Sequence, residues 1–195
     1  GRSHDYDGQY DIVTFDEIID LVLENAEKGR IVGLHIEAKW PSNFSAAGLD
    51  MVDPILDTIA RRGLREAGIP VFIQCFEPGF LAQVAAKSDL PLVQNIVGPP
   101  YAALLGLDMK LEDIPTMGVG AHKAMILTET GGTTDYVDRA HALGKVVHVY
   151  TVRDDDPAEG FESAEQELKV LIEAGVDGIW TDYPATAIAV RDEAE

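Results

Sequence analysis

The sequence predicts an α/β fold built on a parallel sheet, and three observations carry that reading. Apolar runs of strand length alternate with segments whose apolar residues recur at helical spacing, from Thr14 to the end of the chain. Two of the strand-length runs, Val71 to Phe76 and Leu90 to Val97, are apolar almost throughout rather than at every second residue. That is the pattern of strands covered on both faces. Gly or Pro closes most of the segments. Periodicity alone leaves both an open doubly wound sheet and part of a (β/α) barrel open.

The polar opening, residues 1–13, reads as a loop. Thr14 with Glu17 is a capping-box signature, and Phe15, Ile18, Ile19, Val22 and Leu23 follow at helical spacing up to Gly29. A strand follows over 33–40, then a loop through Pro41 and Gly48. A helix is expected from Pro54 to Glu66, closed by Gly68-Ile69-Pro70. After the Val71 strand a helix runs through Ala86, and Gly98-Pro99-Pro100 breaks the Leu90 strand. Between 101 and 132 the pattern gives a helix in the first half, a short strand near Thr116 to Val119, and a loop or short helix through His122-Lys123. A helix up to Leu143, a strand from Lys145 to Val152, a helix over 162–174 and a strand from Val176 to Tyr183 complete the alternation. Pro184 opens a terminal helix, where its missing N–H is no loss.

At 195 residues and 46% apolar, the chain has the length of one domain, 1–195. Fifteen Lys and Arg against 34 Asp and Glu give a net charge of −19. Such a surface repels nucleic acid and anionic lipid, although a bound cation can reverse the field locally. One cysteine, Cys75, rules out an internal disulfide and a multi-cysteine metal site. No apolar run is long enough to span a bilayer. The chain opens on Gly1 rather than Met, so the sequence does not show how it is targeted.

The strand through Glu37 draws the functional argument. Alternation puts Gly33, His35, Glu37 and Lys39 on one face and Leu34, Ile36 and Ala38 on the other. A buried carboxylate or ammonium needs a partner, a metal or water, so the polar face meets one of these. In parallel α/β folds functional groups collect at the carboxyl ends of strands. There lie Glu37 and Lys39, Gln74, Phe76 and Glu77, Lys123, His148 and Tyr150, and Thr181, Asp182 and Tyr183. A lone His148 reads equally as a structural histidine, and Tyr150 and Trp180 as core aromatics. Asp154-Asp155-Asp156 reads as a solvated loop, with weak Ca²⁺ binding as the other reading.

Several segments in order carry a resemblance. They are Thr14-Phe-Asp-Glu-Ile, Ile36-Glu-Ala-Lys39, Phe72-Ile-Gln-Cys-Phe76, Gly118-Val-Gly-Ala-His-Lys123, Val147-His-Val-Tyr-Thr-Val-Arg153 and Gly175-Val-Asp-Gly-Ile-Trp-Thr-Asp-Tyr-Pro184. Together the chain resembles the glycerophosphodiester phosphodiesterase family, in its periplasmic or secreted subgroup. The resemblance implies a (β/α)₈ TIM barrel that binds one divalent cation, Ca²⁺ or Mg²⁺. It implies cleavage of a small-molecule glycerophosphodiester to glycerol 3-phosphate and an alcohol, a step in glycerol and lipid metabolism. Carried across, Glu37 matches a metal ligand, Lys39 a catalytic lysine that steadies the phosphoryl group, and Gln74, Phe76, Tyr150 and Trp180 substrate-lining positions. A cation and a lysine beside the phosphodiester stabilise the charge that grows in its transition state.

The family's opening His-Arg-Gly, Glu-x-Asp and second His-Asp motifs have no counterpart in place here, and His4-Asp5 reads as loop. A full barrel takes about 250 residues. The resemblance therefore implies about six β/α units, the carboxyl-terminal portion lacking the first two, inactive alone, with two open edges compatible with a homodimer. Periplasmic or secreted localisation follows from the subgroup, with a cytoplasmic one left open. Three rivals stand beside it: a Schiff-base aldolase using Lys39, a barrel remnant that only binds or supports structure, and a phospholipase-D-like lysolipid phosphodiesterase. The charge of Glu37 beside Lys39 disfavours the aldolase.

Overall fold

The computed structural model of the chain describes residues 4–99, 101–105 and 109–194. The chain divides into two compact units, Gly1–Leu92 and Val93–Glu195.

In the first unit, helix α1 (Phe15–Glu27) starts on the predicted capping box. Thr14 Oγ1 accepts from Glu17 N–H at 3.3 Å, and the Glu17 carboxylate accepts from Thr14 N–H at 2.7 Å. Strand β1 (Leu34–Glu37) pairs in parallel with β2 (Val71–Cys75), bringing Glu37 opposite Gln74. Between them lie α2 (Pro41–Ala46) and α3 (Val52–Arg61), and α4 (Pro78–Ala85) follows. Ile19, Val52, Leu64, Ile73, Leu81 and Val84 are buried together; of the apolar residues singled out by spacing in α1, Ile19 and Val22 are buried and Ile18 is exposed. On the surface, the Arg62 guanidinium holds both Asp16, at 2.6 Å, and Asp20, tying the end of α3 to the first turns of α1.

The second unit holds the parallel strands β3 (Leu92–Ile96), β4 (Gly118–His122), β5 (Val146–Val152) and β6 (Gly178–Thr181), paired in sequence order. Their helices are α5 (Tyr101–Leu105), α6 (Tyr136–Ala142), α7 (Ala164–Glu173) and α8 (Pro184–Ala194). Val119, Ala121, Val147, Val149, Leu168 and Leu171 form the centre of its core. Asp177 braces this unit, accepting from Val147 N–H at 2.7 Å and meeting His141 Nε2 at 2.9 Å.

The structure corrects several expectations. Residues 41–46 form a short helix where a loop is expected, because Pro41 sits at its first position, where proline starts a helix. The helix expected to reach Glu66 ends at Arg61, and a run of turns through Gly63 (φ 64°) follows, with Leu64 buried. The strand expected near Thr116 to Val119 lies at Gly118–His122, since Thr116 turns its hydroxyl onto the Gly118 carbonyl at 2.8 Å. The helix expected in the first half of 101–132 covers only Tyr101–Leu105; residues 106–108 fall outside the described residues, and beyond them Leu111–Asp113 form a single 3₁₀ turn. Nor are all strands buried on both faces: β2 and β3 are nearly so, whereas β1 and β6 are half-buried throughout. In β5 the buried Val147 and Val149 alternate with half-buried His148 and Tyr150. Polar residues at every second position forbid an apolar cover on that face.

Candidate functional site

The six candidate residues divide between the two units. In the first, Lys39 Nζ lies 3.0 Å from Glu37 Oε1, just past the end of β1. Glu37 is largely covered while Lys39 projects into solvent, their side chains being 22% and 77% exposed. Gln74, opposite Glu37, is buried, and its carbonyl accepts from Ala38 N–H at 3.1 Å. Phe76 is half-buried just beyond β2. The register of β1 and β2 places Gln74 opposite Glu37, and Lys39 reaches Glu37 from just beyond the strand. Below them the His35 ring stacks on Phe72, with centroids 5.1 Å apart and planes 9° from parallel.

Trp40 follows Lys39 with φ 52° and ψ 45°, left-handed and 75% exposed. A side chain in that backbone conformation costs about 1–2 kcal/mol. The segment after it is pinned, because Ser42 N–H donates to Glu77 Oε2 at 3.1 Å. Cys75 donates its Sγ–H to the Ala38 carbonyl at 3.0 Å, and burial pushes its pKa up to about 11. That keeps it a neutral thiol under β1's end.

In the second unit, Tyr150 O–H donates to the Ile96 carbonyl at 2.5 Å, and Trp180 sits half-buried on β6. Lys123, part of the Gly118-to-Lys123 motif, turns inward. Its Nζ lies 3.2 Å from Oε1 of the fully buried Glu167 and donates to the Asp156 carbonyl at 3.2 Å. Arg153 clasps Asp155 through two bonds, at 3.0 and 2.7 Å, and holds that carboxyl down at about 2. His148 is pushed down by burial, against a smaller opposing pull from Asp177. His4 lies exposed in a turn beside Asp7 at 2.8 Å, in keeping with the loop reading of His4-Asp5.

Sequence reasoning missed Glu167, Asn95 and His122. Glu167 sits in an acidic helix start that reads as solvated, and Asn95 in an apolar run. His122 has a signal, its place one residue before Lys123 at the end of β4.

The donor set was compared with the divalent cation that the resemblance implies. Among the described residues, no group of three or more His, Cys, Asp or Glu is placed to hold a metal. Ca²⁺ takes six to eight oxygens and Mg²⁺ six. Glu37 has the right chemistry and supplies one carboxylate, so the residues described here do not make a complete site by themselves.

The parallel strand–helix order, with polar groups at strand ends, defines an α/β protein. The glycerophosphoryl diester phosphodiesterase family model matches residues 2–186, and the chain belongs to that family. It is 28% identical to the glycerophosphodiester phosphodiesterase GDPD6 of Arabidopsis thaliana, over 93% of this chain and 56% of that protein. It is 25% identical to the glycerophosphodiester phosphodiesterase of Bacillus subtilis strain 168, over 89% of this chain and 52% of that one. A solved structure from Silicibacter pomeroyi DSS-3, described as a candidate glycerophosphoryl diester phosphodiesterase, superposes with a TM-score of 0.67 at 19% identity. That match covers 92% of this chain and 56% of the other, and it shows the shared fold. The chain thus spans about half the length of the curated relatives it matches. The six β/α units among the described residues correspond to an incomplete (β/α)₈ barrel fold.

Proposed function

We propose that the protein to which this chain belongs hydrolyses glycerophosphodiesters, releasing glycerol 3-phosphate and an alcohol. The observation that carries the reading is the Glu37–Lys39 pair, 3.0 Å apart at the carboxyl end of β1, in a chain of this family. Lys39 has its ammonium in solvent, where a phosphoryl oxygen reaches it. Glu37 beside it, 3.0 Å away, fixes the lysine's position. A lysine held in place before the reaction stabilises charge on the phosphoryl oxygens without reorganising.

Ca²⁺ or Mg²⁺ is part of this proposal, with Glu37 as one of its oxygen ligands and others needed to complete it. When bound, such an ion neutralises phosphoryl charge. Gln74, Phe76, Tyr150 and Trp180 belong to the proposal as substrate-contacting residues. A periplasmic or secreted setting belongs to the proposal too. No helix among the described residues is long and apolar enough to cross a membrane.

The test is release of glycerol 3-phosphate from glycerophosphocholine by the full-length protein, with Ca²⁺ and with a chelator. Hydrolysis that falls at least about 100-fold in Lys39→Ala and stops with the chelator is the expected result. Full activity in Lys39→Ala contradicts it.

A further inference from the structure

The ends of β4 and β5 hold a histidine whose two ring nitrogens have different fates. His122 Nδ1 accepts from Ala124 N–H at 3.1 Å, closing the short turn over Lys123–Met125. An imidazole nitrogen that accepts carries no proton, so in the neutral ring the proton sits on Nε2. Among the described residues, Nε2 has no hydrogen-bond partner, and the side chain is half-buried rather than sealed. Burial, with a smaller push from Lys123, lowers its pKa and keeps the ring neutral.

The ring is also held in place. It meets Tyr150 edge to face, with centroids 5.4 Å apart and planes at 85°, and Tyr150 is anchored through its hydroxyl to Ile96. On another side lies Gly98, where a Cβ would come within 2.5 Å of the ring's Cγ. Only glycine lets this ring stand where it does.

The charges around it say what it meets. Lys123 is committed to Glu167 and the Asp156 carbonyl, and Arg153 to Asp155. At these two strand ends the cations are already matched by carboxylates, so an anionic phosphoryl group gains little there. A neutral N–H beside an aromatic ring suits an uncharged polyol, whose hydroxyl accepts while its C–H face lies on the ring. We propose that His122 is a substrate-contacting residue, donating Nε2–H to a hydroxyl oxygen of the glycerol moiety beside Tyr150. The assignment rests on the glycerophosphodiester reading and adds which part of the substrate His122 contacts.

The experiment titrates the chain by calorimetry, near neutral pH with Ca²⁺, with two probes. Glycerol 3-phosphate carries the hydroxyls, and ethyl phosphate carries the same phosphoryl charge without them. His122→Phe is expected to weaken glycerol 3-phosphate about fivefold while ethyl phosphate stays within about twofold, the worth of one neutral hydrogen bond. His122→Gln keeps an acceptor for Ala124 and a donor, and is expected to recover most of that loss. Equal loss for both probes, or loss for neither, overturns the assignment and leaves the hydrolase reading standing. If the unsubstituted chain binds neither probe, the assignment falls, while the hydrolase reading is decided by the glycerophosphocholine assay on the full-length protein. Should His122→Phe not fold, the Nε2–H resonance of the unsubstituted chain decides, because it must move with glycerol 3-phosphate and stay with ethyl phosphate.

Discussion

Lys123 Nζ lies 3.2 Å from Oε1 of Glu167, a carboxylate with none of its side chain exposed. The other oxygen, Oε2, accepts from Ala158 N–H at 2.8 Å. One buried carboxylate therefore fastens the end of β4, the segment that follows β5 and the first turn of α7. The lysine of the Gly118-to-Lys123 motif serves the structure, whereas Lys39 is presented to solvent.

Removing one partner leaves the other's charge stranded. Lys123→Ala is expected to cost about 3–5 kcal/mol, read as a fall in the midpoint of urea unfolding. Replacing both at once, with Lys123→Met and Glu167→Leu, is expected to recover most of that loss. A single substitution costing under about 1 kcal/mol would show that water reaches the pair.

Asn95 and Gly120 face each other across β3 and β4. A Cβ on Gly120 would stand 2.1 Å from Asn95 Oδ1 and 3.4 Å from Asn95 Cα. Asn95 is 5% exposed, so it has little room to yield. Gly120→Ala is expected to destabilise by about 1–3 kcal/mol, and adding Asn95→Ala to restore part of it. Thermal melts of the two single variants and the double variant measure the coupling.

Trp40 holds a conformation that glycine adopts freely, and its exposed indole buries little. Trp40→Gly is expected to leave stability unchanged or raise it by about 1 kcal/mol. A loss above about 1 kcal/mol in chemical denaturation would mean that the indole packs more than its exposure indicates.

Burial raises the folded-state pKa of Cys75 to about 11 from an ordinary value near 9. A group raised on folding contributes stability that is complete below its unfolded pKa and is lost as pH climbs through the folded one. The Cys75 contribution is therefore present at pH 8 and fades between about 9 and 11. Thiolate absorbance should rise near 11 in the folded chain and near 9 in urea; one midpoint in both states contradicts this.

Much of this was legible in the chain itself. Capping at Thr14 and the alternation of parallel strands with helices follow from local pattern and hold in the structure, with α2 added where a loop is expected. The pairing of Glu37 with Lys39 was legible for the same reason: residues two apart on a strand share a face. The inward turn of Lys123 was not, because its partner Glu167 lies 44 residues on, in an exposed-looking helix start. Asn95 was hidden similarly, since the room it occupies is left by Gly120, on the next strand. His122 shows its role only once Ala124, Tyr150 and Gly98 surround it.

The central claim is that Lys39, steadied by Glu37, is where this chain meets a phosphoryl group. Its most direct measurement is calorimetric titration of glycerol 3-phosphate, with Ca²⁺ present, into the chain and into Lys39→Ala. Saturable binding that weakens about tenfold or more in Lys39→Ala, the worth of one charge-assisted hydrogen bond, is the predicted result. Equal affinity in the two proteins, or no binding by either, contradicts it.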